Sequence, residues 1–248
     1  MLPLILLGIG FGAGALGALL GVGGGVVLVP ALIFLADLPF GTAVGTSLVC
    51  VVATSVAASA VHFTRDGVSI DTAVPLQAFA VAGAVAAGLG APYLPVRGLY
   101  IAFAVMLLYA AWRAWPRPQR AATTLQPHPL VGRAGAGAGG VVASLLGVGG
   151  GIVFTPLLHV ALGLDFHRAA ATSVYLIGLT AASGALVYLV RGDVAMPLVG
   201  PTMLGVLIGA TLASAGARRV SASWLGRVFA VLLIYVAGRM LMRGLSGA

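Results

Sequence analysis

Leu19 to Leu32 reads L-L-G-V-G-G-G-V-V-L-V-P-A-L, and 126 positions later Leu145 to Leu158 repeats ten of those fourteen residues without a gap. The same offset carries Thr46 and Ser47 onto Thr172 and Ser173, Pro75 onto Pro201, Gly83 onto Gly209, Phe103 onto Phe229 and Tyr109 onto Tyr235. A chain written twice from one unit must fold into two like halves, each carrying the same glycine-rich interruption.

What solvent those halves meet follows from composition. Hydrophobic residues make up 60% of the chain and charged residues 7%, against about 25% charged in an ordinary soluble domain. The mean hydropathy is +1.13, which places the chain in a lipid bilayer. The thirteen basic residues are all Arg, and the acidic ones are Asp37, Asp66, Asp71, Asp165 and Asp193. Nearly all interrupt or flank apolar runs, so the net charge of +8 reads as loop anchors to lipid headgroups rather than a nucleic-acid surface. The one cysteine, Cys50, lies within an apolar run, where it reads as a small core residue. The apolar N-terminus lacks a basic leader and runs directly into the first repeat, which does not read as a removable signal peptide.

Hydropathy divides the first half into apolar blocks at 2–36, 42–63, 68–95 and 98–115, and the second at 130–163, 168–190, 194–217 and 224–242. The first block of each half is too long for one span: a helix of that length would run about 50 Å, against about 30 Å of hydrocarbon. It must break, and Gly21, Gly23, Gly24 and Gly25, followed by Pro30, supply the place; Gly147, Gly149, Gly150, Gly151 and Pro156 repeat it. The reading is an all-α polytopic membrane protein of two repeats, each a re-entrant, glycine-broken hairpin followed by three spanning helices. The repeats cover 1–115 and 130–248, joined by a cytoplasmic linker at 116–129. Three crossings per half invert the second half relative to the first. The linker side then carries Arg65, Arg113, Arg117, Arg120, Arg133, Arg168, Arg218, Arg219 and Arg227, leaving Arg97, Arg191, Arg239 and Arg243 opposite. A parallel arrangement separates the charges less well, so the positive-inside rule favours inversion.

Non-helical backbone at membrane depth survives only inside protein or beside a watery cavity. A helix that starts after such a break points free N–H groups and the positive end of its dipole into the gap, and glycine lets a ligand approach closely. Two opposed copies make an anion site between the repeats. The competing reading is a membrane module with no selective substrate site, either a channel-like pore or a subunit whose glycines serve helix packing alone. Thr46-Ser47 and Thr172-Ser173 add hydroxyls near the breaks, unless each bonds back to its own helix; Thr54 and Ser55 could line the same cavity, although their equivalents Thr180 and Ala181 keep only the first hydroxyl. His159 and His62 are the residues able to titrate near neutral pH; His159 is the candidate for proton coupling or anion contact, against a packing role for each. Arg65 and Arg191 read as lipid-facing anchors.

The paired G-V-G-G-G-x-x-x-x-P-x-L motifs at Gly21 to Leu32 and Gly147 to Leu158, with A-x-x-T-S at Ala43 to Ser47 and Ala169 to Ser173, resemble the TauE/SafE sulfite exporter family of bacterial permeases. The resemblance covers essentially the whole chain. It implies a multi-pass carrier in the bacterial inner (cell) membrane for a small sulfur-containing anion such as sulfite, a sulfonate or a related organosulfur acid, moving with or against a proton or counter-ion. It also implies that the glycine motifs and the Thr-Ser pairs contact substrate. No carboxylate lies deep in an apolar block to repel an anion or to hold Na⁺. No cofactor, metal site or enzymatic activity is expected, and the oligomeric state stays open. Gly12 to Gly17 satisfies G-x-G-x-x-G but follows no strand, Ser183-Gly184 lacks a serine protease's surroundings, and Gly205 and Gly209 read as helix contacts.

Overall fold

The protein, seen as a computed structural model, is described over residues 2–20, 23–65, 67–115, 129–216 and 222–246. The first half comprises α1 (Leu2–Leu20), α2 (Gly25–Leu35), α3 (Phe40–Arg65), α4 (Ile70–Gly90) and α5 (Val96–Ala114). The second comprises α6 (Pro129–Leu146), α7 (Gly151–Pro156), α8 (Phe166–Val190), α9 (Met196–Gly216) and α10 (Ala222–Ser246). Gly25, Phe40, Ile70 and Val96 open α2 to α5, and their equivalents at the repeat offset, Gly151, Phe166, Met196 and Ala222, open α7 to α10. Each long first block is split, between α1 and α2 and between α6 and α7. Among the described residues six helices, α3 to α5 and α8 to α10, are long and apolar enough to span a bilayer, whereas α1, α2, α6 and α7 supply shorter apolar pieces. This is an all-α, multi-pass membrane protein.

Local chemistry fixes the breaks. Gly147, Gly149 and Gly150 adopt φ of 68°, 79° and 82°, and Gly23 adopts 70°; a Cβ makes that left-handed region costly. Pro156 ends the regular α7 hydrogen-bond ladder, and the chain widens into a π-helical turn over Leu157–Ala161. Its equivalent Pro30 sits within α2, which stays α-helical to Leu35. Asp165 caps α8 by accepting from the His167 amide at 3.1 Å.

Packing crosses the halves rather than staying within them. α1 lies on α9 and α4 on α6, two contacts related to each other by the repeat. Gly205 meets the Leu7 backbone and Gly209 the Phe11 backbone, so these glycines let helices approach, as their spacing predicts. Gly83 meets Gly137 and Gly140 meets Ala80 in the matching interface. The two repeats divided at the linker are therefore sequence units, not separate packing units. Order along these contacts gives direction: Gly45 lies against Tyr188, Leu48 against Gly184 and Ser55 against Gly178, so α3 and its equivalent α8 run antiparallel. Arg97 reaches Gly244 and Leu245 while Ala114 lies beside Gly226, so α5 and α10 do too. Antiparallel packing of equivalent helices does not conflict with inverted halves. α5 ends at Ala114 and α6 starts at Pro129; residues 116–128, most of the expected linker, lie outside the described ones.

Candidate functional site

The two breaks meet. A Cβ on Gly25 would overlap the Gly147 carbonyl oxygen and stand 2.9 Å from the Val148 Cα, and one on Gly23 would lie 3.6 Å from the Val148 oxygen and from the Ile177 side chain. Gly149 is enclosed by Val51 and Ile177, which are each other's equivalents in the repeat. Ser47 then ties one half to the other: its hydroxyl donates to the Gly147 oxygen at 2.8 Å, across a hundred residues and fully buried. Its equivalent, Ser173, is equally buried, yet its Oγ has no hydrogen-bond partner. In α7 the first amides to bond within the helix are those of Val153 and Phe154, both to the Gly150 oxygen at 2.9 Å. Gly151 and Ile152 therefore present helix-start amides with no intrahelical partner.

The threonines do something the sequence reading did not anticipate. Thr46 Oγ1 accepts from the Ala195 amide at 2.9 Å, and Thr172 Oγ1 accepts from the Ser69 amide at 3.0 Å. These bonds are equivalent under the repeat: each threonine pins the turn leading into the fourth helix of the opposite half. Thr54 and Thr180 bond back to the carbonyls of Cys50 and Leu176, at 3.1 and 2.7 Å, the local use open to hydroxyls in membrane helices. Ser55 donates to the Val174 oxygen at 2.5 Å.

Of the sequence-derived candidates, Gly23, Gly24, Gly25, Ser47, Gly147, Gly149, Gly150 and Gly151 cluster around the meeting breaks, Ser173 lies one helical turn before Ile177 on α8, and Gly21 lies outside the described residues. His159 does not join them. It sits in the π-helical turn at the far end of α7, with Nδ1 2.8 Å from the Leu164 oxygen. The side chains of His62 and Arg65 lie outside the described ones. Arg191, read from the sequence as a lipid-facing anchor, is exposed yet also held by protein: it donates to the Gly88 oxygen at 2.9 Å, pairs with Asp193 at 2.6 Å and stacks on Tyr188 at 5.3 Å. The hydrogen-bonding surplus of a guanidinium explains the difference, since five donors beside a helix end find carbonyls before they find lipid. Tyr188 in turn donates to the Ser144 oxygen at 3.1 Å.

Beside the phenols of Tyr100 and Tyr188 and the Cys50 thiol, the buried polar side chains among the described residues are Thr and Ser. Such a set offers hydroxyls and backbone amides for recognition. Gln77, within α4, went unnoticed in the sequence; its Nε2 donates to Thr180 Oγ1 at 3.3 Å. Setting the halves side by side would have exposed it, because its equivalent is Met203.

The model of the sulfite exporter TauE/SafE family matches residues 6–240. The chain is 22% identical to the probable membrane transporter protein YunE of Bacillus subtilis, over 97% of this chain and 98% of that one. It is 27% identical to a probable membrane transporter protein of Haemophilus influenzae, again over 97% and 98%. A probable membrane transporter protein of the archaeon Methanocaldococcus jannaschii is 27% identical over 91% and 93%. No solved structure matches the chain significantly. With two glycine-rich breaks in contact, six apolar helices among the described residues long enough to span a bilayer, and a family match running almost end to end, this chain belongs to the TauE/SafE sulfite exporter family of membrane transporters.

Proposed function

We propose that the chain is a permease for a small sulfur-containing anion, such as sulfite, a sulfonate or a related organosulfur acid, held between the two glycine breaks and moved by alternating access. The observation that carries this reading is the meeting of Gly25 with Gly147 and Val148, which brings two helix starts from opposite halves to one place. Amides and hydroxyls there recognise an anion without placing a carboxylate near it. The family's name supports the sulfur oxyanion as cargo. Val51 and Ile177 stand beside the breaks, so cargo enters only when the halves shift and this apolar pair parts. Cross-half tethers such as Thr46 to Ala195 and Thr172 to Ser69 are the bonds such a shift rearranges. By the positive-inside rule the linker faces the cytoplasm.

The same close contact favours one rival, a packing module whose glycines serve helix approach alone. Counterflow in proteoliposomes separates the two. Vesicles loaded with unlabelled sulfite should accumulate labelled sulfite transiently, and repeating the assay with and without a pH gradient tests coupling to protons. Absence of counterflow for every sulfur anion tried removes the permease reading.

A further inference from the structure

A duplicated fold provides two equivalent environments, and in this chain they have diverged. Around Met203 the first is dry: Ala13, Leu28, Cys50 and Val206 form a buried apolar cluster, with Ile9, Val27 and Met203 packed on it. At the equivalent place stand Ala80, Phe154, Leu176 and Gln77. Four side-chain atoms among the described residues are buried without a hydrogen-bond partner: Gln77 Oε1, Ser144 Oγ, Thr155 Oγ1 and Ser173 Oγ. The first three replace Met203, Ala18 and Val29 of the other copy. Unspent polar capacity has gathered on one side of the pseudosymmetry, where packing alone tolerates apolar residues.

The orientation of the Gln77 amide is fixed by its neighbour. Thr180 has a single hydroxyl hydrogen, and that hydrogen is given to the Leu176 oxygen at 2.7 Å. Toward Gln77, 3.3 Å away, Thr180 Oγ1 can only accept. The amide must turn its NH₂ to Thr180, so the unpartnered atom is the carbonyl oxygen, an acceptor awaiting a donor. Its position suits a ligand. Thr180 lies one helical turn beyond Ile177, whose side chain packs against Gly149 and approaches Gly23, and Ser173 lies one turn on the other side. One stripe of α8 thus carries the unpartnered Ser173, the residue beside the breaks, and the threonine that orients Gln77.

We propose that Gln77 recognises the cargo, accepting through Oε1 a hydrogen bond from an O–H or N–H that the cargo carries, with Thr180 as the positioning residue. The site then selects anions that retain such a donor over anions of the same charge and size that lack one. This assignment rests on the anion-permease reading above and adds to it a one-sided contact, off the axis relating the two breaks.

The test measures inhibition of labelled sulfite uptake in proteoliposomes by isethionate, a sulfonate with a hydroxyl, and by ethanesulfonate, which lacks it. Wild-type protein should favour isethionate by about tenfold in apparent affinity, the effect of one added hydrogen bond. Gln77→Met installs the residue the other half already accommodates and should reduce that preference below about threefold, read against whatever labelled sulfite uptake the folded variant retains. Thr180→Val leaves Gln77 in place but removes the acceptor that orients it; it should also lower the preference, which a purely structural glutamine would not do. An unchanged preference in either folded variant overturns the assignment, as does equal or absent inhibition by both sulfonates in wild type; both outcomes leave the anion reading standing. Failure of wild type to take up any sulfur anion overturns both.

Discussion

Ser47 and Ser173 occupy equivalent positions, yet removing their hydroxyls should have opposite consequences. Ser47→Ala deletes a fully buried bond of 2.8 Å to the Gly147 oxygen, leaving that carbonyl without this partner beside the apolar Val44, Val29 and Val148. Orphaning a buried backbone acceptor costs about 1–3 kcal/mol. At about 2–4 °C per kcal/mol for a chain of this size, the midpoint should fall by several degrees. Ser173→Ala removes a hydroxyl that is buried and unpartnered, so it relieves a desolvation cost and should leave the midpoint unchanged or raise it slightly. Tryptophan-fluorescence melts of the purified proteins in one detergent check both. Transport should reverse the order: Ser173→Ala, which removes an unpartnered buried hydroxyl one helical turn from Ile177, should reduce sulfite uptake more than its stability explains. Equal destabilisation by the two substitutions would refute the argument that the serines have parted roles.

Thr46→Val and Thr172→Val each sacrifice one bond to a turn amide of the opposite half, at 2.9 and 3.0 Å. Each should cost about 1–2 kcal/mol, and the double variant close to their sum, because the sites share no partner; melting midpoints report both. Gly23→Ala and Gly25→Ala separate strain from overlap. Gly23 has φ of 70° but no atom within 3.6 Å of a new Cβ, so alanine costs about 1–2 kcal/mol of backbone strain. Gly25 is helical, yet its alanine would overlap the Gly147 oxygen. It should cost about 1–3 kcal/mol or more as the breaks are wedged apart, with uptake lost in step.

Much of this architecture is legible in the sequence because the repeat offset locates every helix twice, and because a run too long for the bilayer must bend where its glycines are. The breaks, the six spans and the placing of Ser47 at the second glycine break follow from that. The packing partners do not. A soluble helix announces its buried face by its polar one, but in lipid both faces of α1 or α9 are apolar, so nothing in either sequence says that Gly205 will lie on Leu7. Hydroxyl destinations are hidden for a related reason: Thr46 and Ala195 are brought together by tertiary packing alone. His159 looks close to the break by residue count, but α7 and the turn after it carry the ring to the far end. Arg191 illustrates the converse, a loop charge that finds Gly88 and Asp193 because chain reversal places them within reach. Gln77 was available throughout, as the amide that breaks the match between Gln77 and Met203.

The claim on which the rest depends is that an anion is held where the two breaks meet. Thermal stabilisation of purified wild-type protein and of Gly25→Ala by sulfite, sulfoacetate, taurine, thiosulfate, sulfate and chloride tests it most directly. The account predicts a concentration-dependent rise in the wild-type midpoint for one sulfur oxyanion or sulfonate and not for chloride, with that rise abolished in a folded Gly25→Ala. A uniform response to all six anions, or a selective rise that survives Gly25→Ala undiminished, would contradict it.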